Sequence, residues 1–559
     1  MAVSGIGSAL YHEDNFATFF LTTAAAYAAS FLLPVRQFTH VLLVIVSGWF
    51  LCLLALASLP HYGYAFAFLG GLNLPNPVFH FAIGFGLLLG FWRFLSPAQP
   101  MEEVALGSGR LWFWGIFAAA IFMRFQHIGE APGAYWDDPA VCIIDPQGIL
   151  NFHEYVMLFP LGQREPFFSY FLAGLWSLDP HAHAILIQRL GGAILDLAAV
   201  VVFYFAGKEA GGVVTGLVAE AAAAFSKPLL IENLIGMTAV TVPLAVGLLL
   251  LTTIRLFKKQ DWARFLQWAL ALGFAPYNYT PVRTWLPFIV TVVFLWIWFF
   301  KLKERPKAWP EYILGWGLLL VWNVLFLKVN NFLPENLLSF APSGKIGAAA
   351  ALLALFGFCA FGVARQKELA RKSLLPLFFA GVALAAGIIY PLAAQPDIAV
   401  HTSGLSIFHN QETRTFHYEN TLPAILIKKT MSSLISLFYG GQDRGDLNLP
   451  WDAFYEFHFA PLFMIGLAAF LNRPTWLKLF LLAASFVGIS AHVLSIDPHS
   501  AKLVAAVAPM AILSGLGLQE FLAELFRRKA RLRPWVAGFF VLYLGWAFAG
   551  TYDRVWEHY

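Results

Sequence analysis

Charge and cysteine are what this chain has least of. Only 12% of its 559 residues are Asp, Glu, Lys or Arg, and 3 are cysteine. So little charge excludes a disordered, solvated chain, and a net charge of +4 is too small to point to nucleic acid as a partner. The cysteines define no framework. Cys52 and Cys359 lie in apolar runs and Cys142 stands alone in a loop, which excludes a disulfide scaffold and a four-cysteine zinc site. The first 14 residues contain no Lys or Arg, so no cleaved signal peptide is expected there. What the chain does have is apolar side chains: 59% of residues are hydrophobic, with 55 Phe and 19 Trp, and the mean hydropathy is +0.68. Water could not solvate that much apolar surface, so the expected fold is an all-α polytopic membrane protein.

A helix needs roughly 20 apolar residues to cross about 30 Å of hydrocarbon. By that rule the chain has about 16 spans, near 15–33, 38–59, 77–95, 111–127, 183–206, 211–231, 238–255, 264–278, 282–300, 311–329, 346–364, 374–392, 458–471, 476–495, 502–523 and 534–550. The connections then sort by charge. "RLFKKQDWAR", "KLKERPK", "ARQKELARK" and "RRKARLR", with Arg36, Arg93, Arg110, Lys208, Arg473 and Lys478, place 23 of the 36 Lys and Arg in or beside short loops on one side. Such an excess marks the cytoplasmic face. The opposite, outer face carries two long segments, 128–182 and 393–457. They are rich in aromatics and proline and contain amphipathic stretches, "PFFSYFLAGLWSL" and "LIKKTMSSLISLFYGG", that read as helices lying in the interface.

Chemistry must therefore be built from these loops and the span ends. The first loop offers Tyr135, Trp136, Asp137, Asp138, Asp145, His153, Glu154, Arg164 and Glu165. A partly desolvated carboxylate beside a like charge can serve as a general base, which makes Asp137 and Asp138 catalytic candidates. The same residues also read as punctuation, with Asp137 capping a helix that begins at Pro139. His153, Glu154, His181 and His183 lack a recognised metal-ligand spacing, whereas Asp137 and Asp138 could hold a divalent cation through oxygen.

Four more clusters face the same side. "FAPYNYTPVRTWLP" holds Tyr277, Tyr279 and Arg283, read either as an aromatic belt with a snorkelling arginine or as sugar and phosphate contacts. "YGGQDRGDLNLPWD" holds Asp443, Arg444, Asp446 and Asn448. "IDPHSAKLVAAVAP" puts His499 and Lys502 at the mouth of a span, and "IENLIG" sets Glu232 and Asn233 at another span end. Inside the bilayer, Asp196 and Glu220 fall near mid-span with few bases to partner them; they are the best evidence for a transporter or lipid-linked-sugar flippase, and read equally well as neutral, hydrogen-bonded packing residues.

Taken in order, "YWDDPAV", "QREPFFSYFLAGLWSL", "HAILIQRLGGAILDLAAVVVFYFAGKEAGG", "GFAPYNYTPVRTWLP", "GGQDRGDLNLPWD" and "DPHSAKLVAAVAPMAILSGLGL" resemble the GT-C membrane glycosyltransferases. Within them the likeness is to bacterial relatives of protein O-mannosyltransferases and of the lipid A aminoarabinose transferase. The resemblance implies a GT-C core over 105–559 behind a three-span extension at 1–104. It implies inverting transfer of a sugar from a polyprenyl-phosphate donor to an acceptor hydroxyl of a lipid, glycan or protein. The work would be done at the extracytoplasmic face of the inner (cytoplasmic) membrane, among membrane lipids, with no required cofactor. Asp137 matches the family's base, and Asp138 stands where a Glu is usual. Arg164 and Glu165 match its basic residue before proline, and Lys502 its basic residue at a late span mouth, where Arg is common. Tyr279, Arg283, Asp446 and His499 complete the expected substrate contacts. A non-catalytic GT-C relative is the remaining alternative.

Overall fold

The computed structural model describes residues 109–126, 128–129, 137–153, 166–259, 261–304, 459–495 and 500–558, together with Val104 and scattered positions in 317–324 and 426–437. The described residues are helical, with no β-strand among them. In chain order the helices are α1 (Gly109–Phe125), α2 (Asp137–Phe152), α3 (Pro166–Trp176), α4 (Ala184–Gly211), α5 (Val213–Ala224), α6 (Lys227–Ile235) and α7 (Thr241–Lys258). They continue with α8 (Trp262–Phe274), α9 (Trp285–Glu304), α10 (Ala460–Asn472), α11 (Trp476–Val493), α12 (Val507–Arg528) and α13 (Arg533–Tyr552).

Each expected span from 111 to 300 and from 458 to 550 contains a helix; the expected span 311–329 is described only at scattered helical positions, and the other expected spans, like the extension before Val104, lie outside the described residues. Among the described residues five helices are long and apolar enough to cross a membrane, or up to six with one bent pair counted as a span. The protein is thus a multi-pass membrane protein. The helix expected to start at Pro139 starts at Asp137, and the expected span 211–231 is broken in two.

The core is a bundle in which α4 and α5 form a hairpin, α7 packs along α4, and α12 lies against α5 and α10. Gly212 turns the hairpin with φ 96, a left-handed conformation that a side chain would strain. Small residues bring backbones together elsewhere. A Cβ on Gly517 of α12 would meet the backbone of Gly466 and Ile465 in α10, so the two helices touch main chain to main chain.

The break between α5 and α6 bends the chain by 45°. It frees carbonyls that no water inside a membrane can satisfy. Arg124 of α1 donates to two of them, from Nη1 to Ala224 O (3.1 Å) and from Nη2 to Ala223 O (3.1 Å), while Thr551 Oγ1 of α13 donates to Phe225 O (2.9 Å). The Arg124 charge is met by Asp196 of α4, 2.8 Å away, with both side chains fully buried. On the far side of the break α6 opens with Pro228 in its first turn, where a missing N–H costs nothing.

Basic residues gather at one end of the bundle. Arg255 of α7 bonds Glu209 of α4 (3.2 Å), and Lys478 of α11 pairs with Glu520 of α12 (2.7 Å). Phe257 meets Phe480 edge-on at 5.3 Å and so joins the two pairs' helices. At the same end Asp261 caps α8 by accepting from Arg264 N (3.0 Å), a bond that holds its carboxyl below the usual range. The opposite end carries the candidate site.

Candidate active site

Asp137 and Asp138 form the first turn of α2, where the positive end of the helix dipole favours negative charge. The helix is held in place further along. It packs on α3 and α4, and its buried Asp145 accepts from Ser169 Oγ of α3 at 3.4 Å. Asp145 is therefore a tie between helices rather than a free loop carboxylate. The segment leading into α2 is anchored at its start, because Arg189 of α4 donates from Nη1 to Ile128 O (3.0 Å) and from Nε to Leu234 O at the end of α6 (3.1 Å).

His153, exposed and at φ 56, terminates the described part of this loop. The loop resumes at α3, whose Phe167 packs edge-on against Phe274 at the end of α8, 4.7 Å between ring centres. Pro166 follows Arg164 and Glu165 directly, so that element enters the fold beside the end of α8. Arg164, Glu165, Asp446 and His499 themselves, along with Asp443, Arg444 and Asn448, lie outside the described residues. His183 precedes α4 without a side-chain capping bond, and the His181 N–H donates to Asp179 Oδ1 at 3.1 Å. Among the described residues no three His, Cys, Asp or Glu side chains converge as a metal site.

Two short 3-10 turns, Ala275–Tyr277 and Thr280–Thr284, connect α8 to α9. Tyr279 N donates to Thr241 Oγ1 at the start of α7 (3.4 Å). Its half-buried side chain packs on a cluster of Ile231, Ile235, Met237, Ala239 and Ala501. That cluster includes Ala501, the residue preceding Lys502. Arg283 sits in the second turn, 4% exposed, and that turn packs on α11. The snorkelling reading of Arg283 is thereby corrected: its guanidinium is inside the protein rather than reaching for water. Tyr277 is only partly covered.

Lys502 is 7% exposed and donates from Nζ to Ser495 Oγ at 2.5 Å. The carbonyl of the same serine accepts from Lys429 Nζ, also at 2.5 Å. Lys429 belongs to the "LIKKTMSSLISLFYGG" stretch, whose described residues are helical and bury Lys429, Ser433 and Leu437 on one face. One turn on, Ser433 Oγ donates to Lys429 O (2.8 Å) and lies 2.7 Å from His492 Nδ1 of α11. Sequence reading found Lys502 and missed Lys429, Ser433, His492 and Ser495. The i, i+4, i+8 pattern of Lys429, Ser433 and Leu437 was the available signal.

Asp196, expected to be an intramembrane carboxylate with few bases near it, has Arg124 as partner and serves the helix break. Glu220, fully buried in α5, has no hydrogen-bond partner among the described residues.

No family model matches the chain, and no curated protein matches it. Solved structures do, and those neighbours are GT-C glycosyltransferases. The archaeal oligosaccharyltransferase AglB from Archaeoglobus fulgidus, in complex with an inhibitory peptide and a dolichol-phosphate, is 12% identical, with a TM-score of 0.44. That likeness covers 80% of this chain and 55% of AglB, so the chain spans about half the length of that neighbour. A second AglB structure, in complex with zinc and sulfate, is 13% identical at a TM-score of 0.40, over 79% of this chain and 52% of that one. ArnT from Cupriavidus metallidurans, bound to undecaprenyl phosphate, is 14% identical at a TM-score of 0.28, over 73% of this chain and 77% of ArnT. Likeness at this level assigns no role to any residue here.

Proposed function

We propose that this protein is an inverting glycosyltransferase of the GT-C type. It moves a sugar from a polyprenyl-phosphate donor to an acceptor hydroxyl at the outer face of the inner membrane, with Asp137 as general base. The observation that carries the reading is the buried Lys502 at the mouth of α12, hydrogen-bonded to Ser495 and adjacent to the cluster that seats Tyr279. A buried ammonium at a membrane-protein surface suits an anionic headgroup.

In this reaction the acceptor oxygen bonds to the anomeric carbon while its proton passes to the Asp137 carboxylate. The carbon–oxygen bond to phosphate breaks, and its electron pair stays on the phosphate. A phosphate needs little acid help to leave, so the protein's task is to place cations where charge develops: Lys502 and Arg283 in this reading, with Arg164 as a third. Lys502 supplies a point charge, without the two-pronged grip of an arginine. Asp138 and Glu165 adjust the charge around base and cation, Tyr279 offers a stacking face for a sugar, and Asp446 and His499 offer hydroxyl contacts. The step uses no metal; a divalent cation, if one binds, would take its oxygen ligands from Asp137 and Asp138.

Of the two carboxylates behind the transport reading, Asp196 is engaged by Arg124 at the helix break, and Glu220 is the one that still supports it. The test is mass spectrometry of envelope lipids, glycans and proteins from cells with and without the gene. A single glycosyl increment that depends on the gene supports the proposal. An unchanged profile, with a lipid-linked sugar moved across the membrane instead, refutes it.

A further inference from the structure

The connection between α12 and α13, "RRKARLR", packs five basic residues into seven. They are not equivalent. Glu524, one turn back on α12, accepts from Arg527 Nη2 (2.6 Å) and from Arg528 Nε (2.5 Å), so those two charges are met inside the protein. Elsewhere at this end of the bundle cations also share carboxylates. Arg255 and Lys258 lie 3.2 and 3.6 Å from Glu209, Lys259 and Arg264 lie 3.3 and 2.8 Å from Asp261, and Lys478 lies 2.7 Å from Glu520. Lys529, Arg531 and Arg533 are exposed and have no carboxylate partner among the described residues.

The side chains that follow have the profile of a lipid. Arg533 lies over the Phe526 ring, 5.5 Å from its centre, which holds one cation at the head of α13. Two residues on, Trp535 is 76% exposed, and a tryptophan at the end of a span sits at headgroup depth. Phe539 and Leu542 come next on the same exposed face of α13, and a Cβ on Gly538 beside them would meet nothing. Cations, an interfacial ring and an apolar track thus succeed one another down one side of one helix.

We infer that Lys529, Arg531, Arg533 and Trp535 form a binding site for the headgroup of an anionic phospholipid, with an acyl chain lying along Phe539 and Leu542. In the orientation of the proposed function the lipid belongs to the cytoplasmic leaflet; the site itself does not depend on the sugar-transfer reaction. Phosphate oxygens accept charge-assisted hydrogen bonds from guanidinium and ammonium groups. Each cation near an anionic membrane surface adds attraction, which falls off within a Debye length, about 8 Å at physiological salt. Lys258 and Lys259 are exposed too, but Glu209 and Asp261 already answer their charge. Lys529, Arg531 and Arg533 keep theirs for the membrane. A zwitterionic headgroup carries its own ammonium, which these cations repel, so the site distinguishes lipids by net charge. A free phosphate would match the cations and leave Trp535, Phe539 and Leu542 uncovered, which is why a lipid fits the whole surface.

The test uses the full chain in detergent, titrated with phosphatidylglycerol or phosphatidylcholine, the bound lipid being counted by native mass spectrometry. Wild type is expected to bind phosphatidylglycerol about tenfold or more tightly than phosphatidylcholine, and the ratio should shrink as ammonium acetate is raised. Lys529→Gln with Arg531→Gln should bring the ratio close to one. Lys258→Gln with Lys259→Gln removes the same charge from the same end and should leave the ratio as in wild type. A wild type that binds the two lipids equally overturns the inference. So do two double variants that lose the preference to the same extent, because net charge at that end would then be all that matters. Displacement of bound phosphatidylglycerol by inorganic phosphate also overturns it, by making the site one for a free anion. The wild-type titration and the phosphate competition need no variant, so the inference can fail even where a variant does not fold.

Discussion

Arg124→Met is the sharpest test of how the break between α5 and α6 is held. The guanidinium is fully buried, bonded to Asp196 at 2.8 Å and to the carbonyls of Ala223 and Ala224 at 3.1 Å each. Removing one partner of a buried ion pair costs about 3–5 kcal/mol, since the remaining charge is stranded. A buried carbonyl left without a donor adds about 1–3 kcal/mol. We therefore expect Arg124→Met to lose on the order of 5 kcal/mol in reversible unfolding by SDS in mixed micelles, followed by tryptophan fluorescence. The double variant Arg124→Met with Asp196→Leu should be less damaged than Arg124→Met alone, by about 2 kcal/mol, because no unpaired carboxylate is left. The reasoning fails if Arg124→Met is within about 1 kcal/mol of wild type, or if the double variant loses the sum of the two single losses.

Three further outcomes are expected. Thr551→Val leaves Phe225 O without its donor at the same break and should cost about 1–2 kcal/mol in that unfolding measurement, with no change in the charge pair. Gly517→Val forces a side chain into the backbone of Gly466 and should destabilise by about 3 kcal/mol or more, whereas Gly538→Val, where a Cβ meets nothing, should be near neutral. Asp261 has its folded pKa below its ordinary 3.8, so the stability it contributes is present above that pH and is lost as pH falls through the lowered value. In Asp261→Ala that part of the acid loss should be missing, and an acid-unfolding curve identical to wild type would contradict the assignment.

Much of the helical framework was legible in the sequence because span length and apolar runs are dictated by the bilayer. The expected span 183–206 became α4 and the expected span 476–495 became α11, each within a few residues. The break in 211–231 was missed by a reading that counted apolar residues only. "FSKPLL" carries a helix-start signal, Ser226 followed by Pro228, which a continuous apolar stretch overran. Lys502 was legible as a basic residue at a span mouth. Lys429 was not, because its importance comes from contact with Ser495, 66 residues away, and no local pattern encodes that pairing. Arg124 was hidden for a related reason: it reads as a charge at the end of a span until the fold brings Asp196 to it.

The most direct measurement for the central claim is the rate of glycosyl transfer by Asp137→Asn in membranes containing the native donor and acceptor, with binding of undecaprenyl monophosphate measured in parallel. The account predicts that transfer falls by about 10²- to 10⁴-fold while the monophosphate still binds, as loss of a general base requires. Transfer at the wild-type rate by a folded Asp137→Asn protein would contradict it.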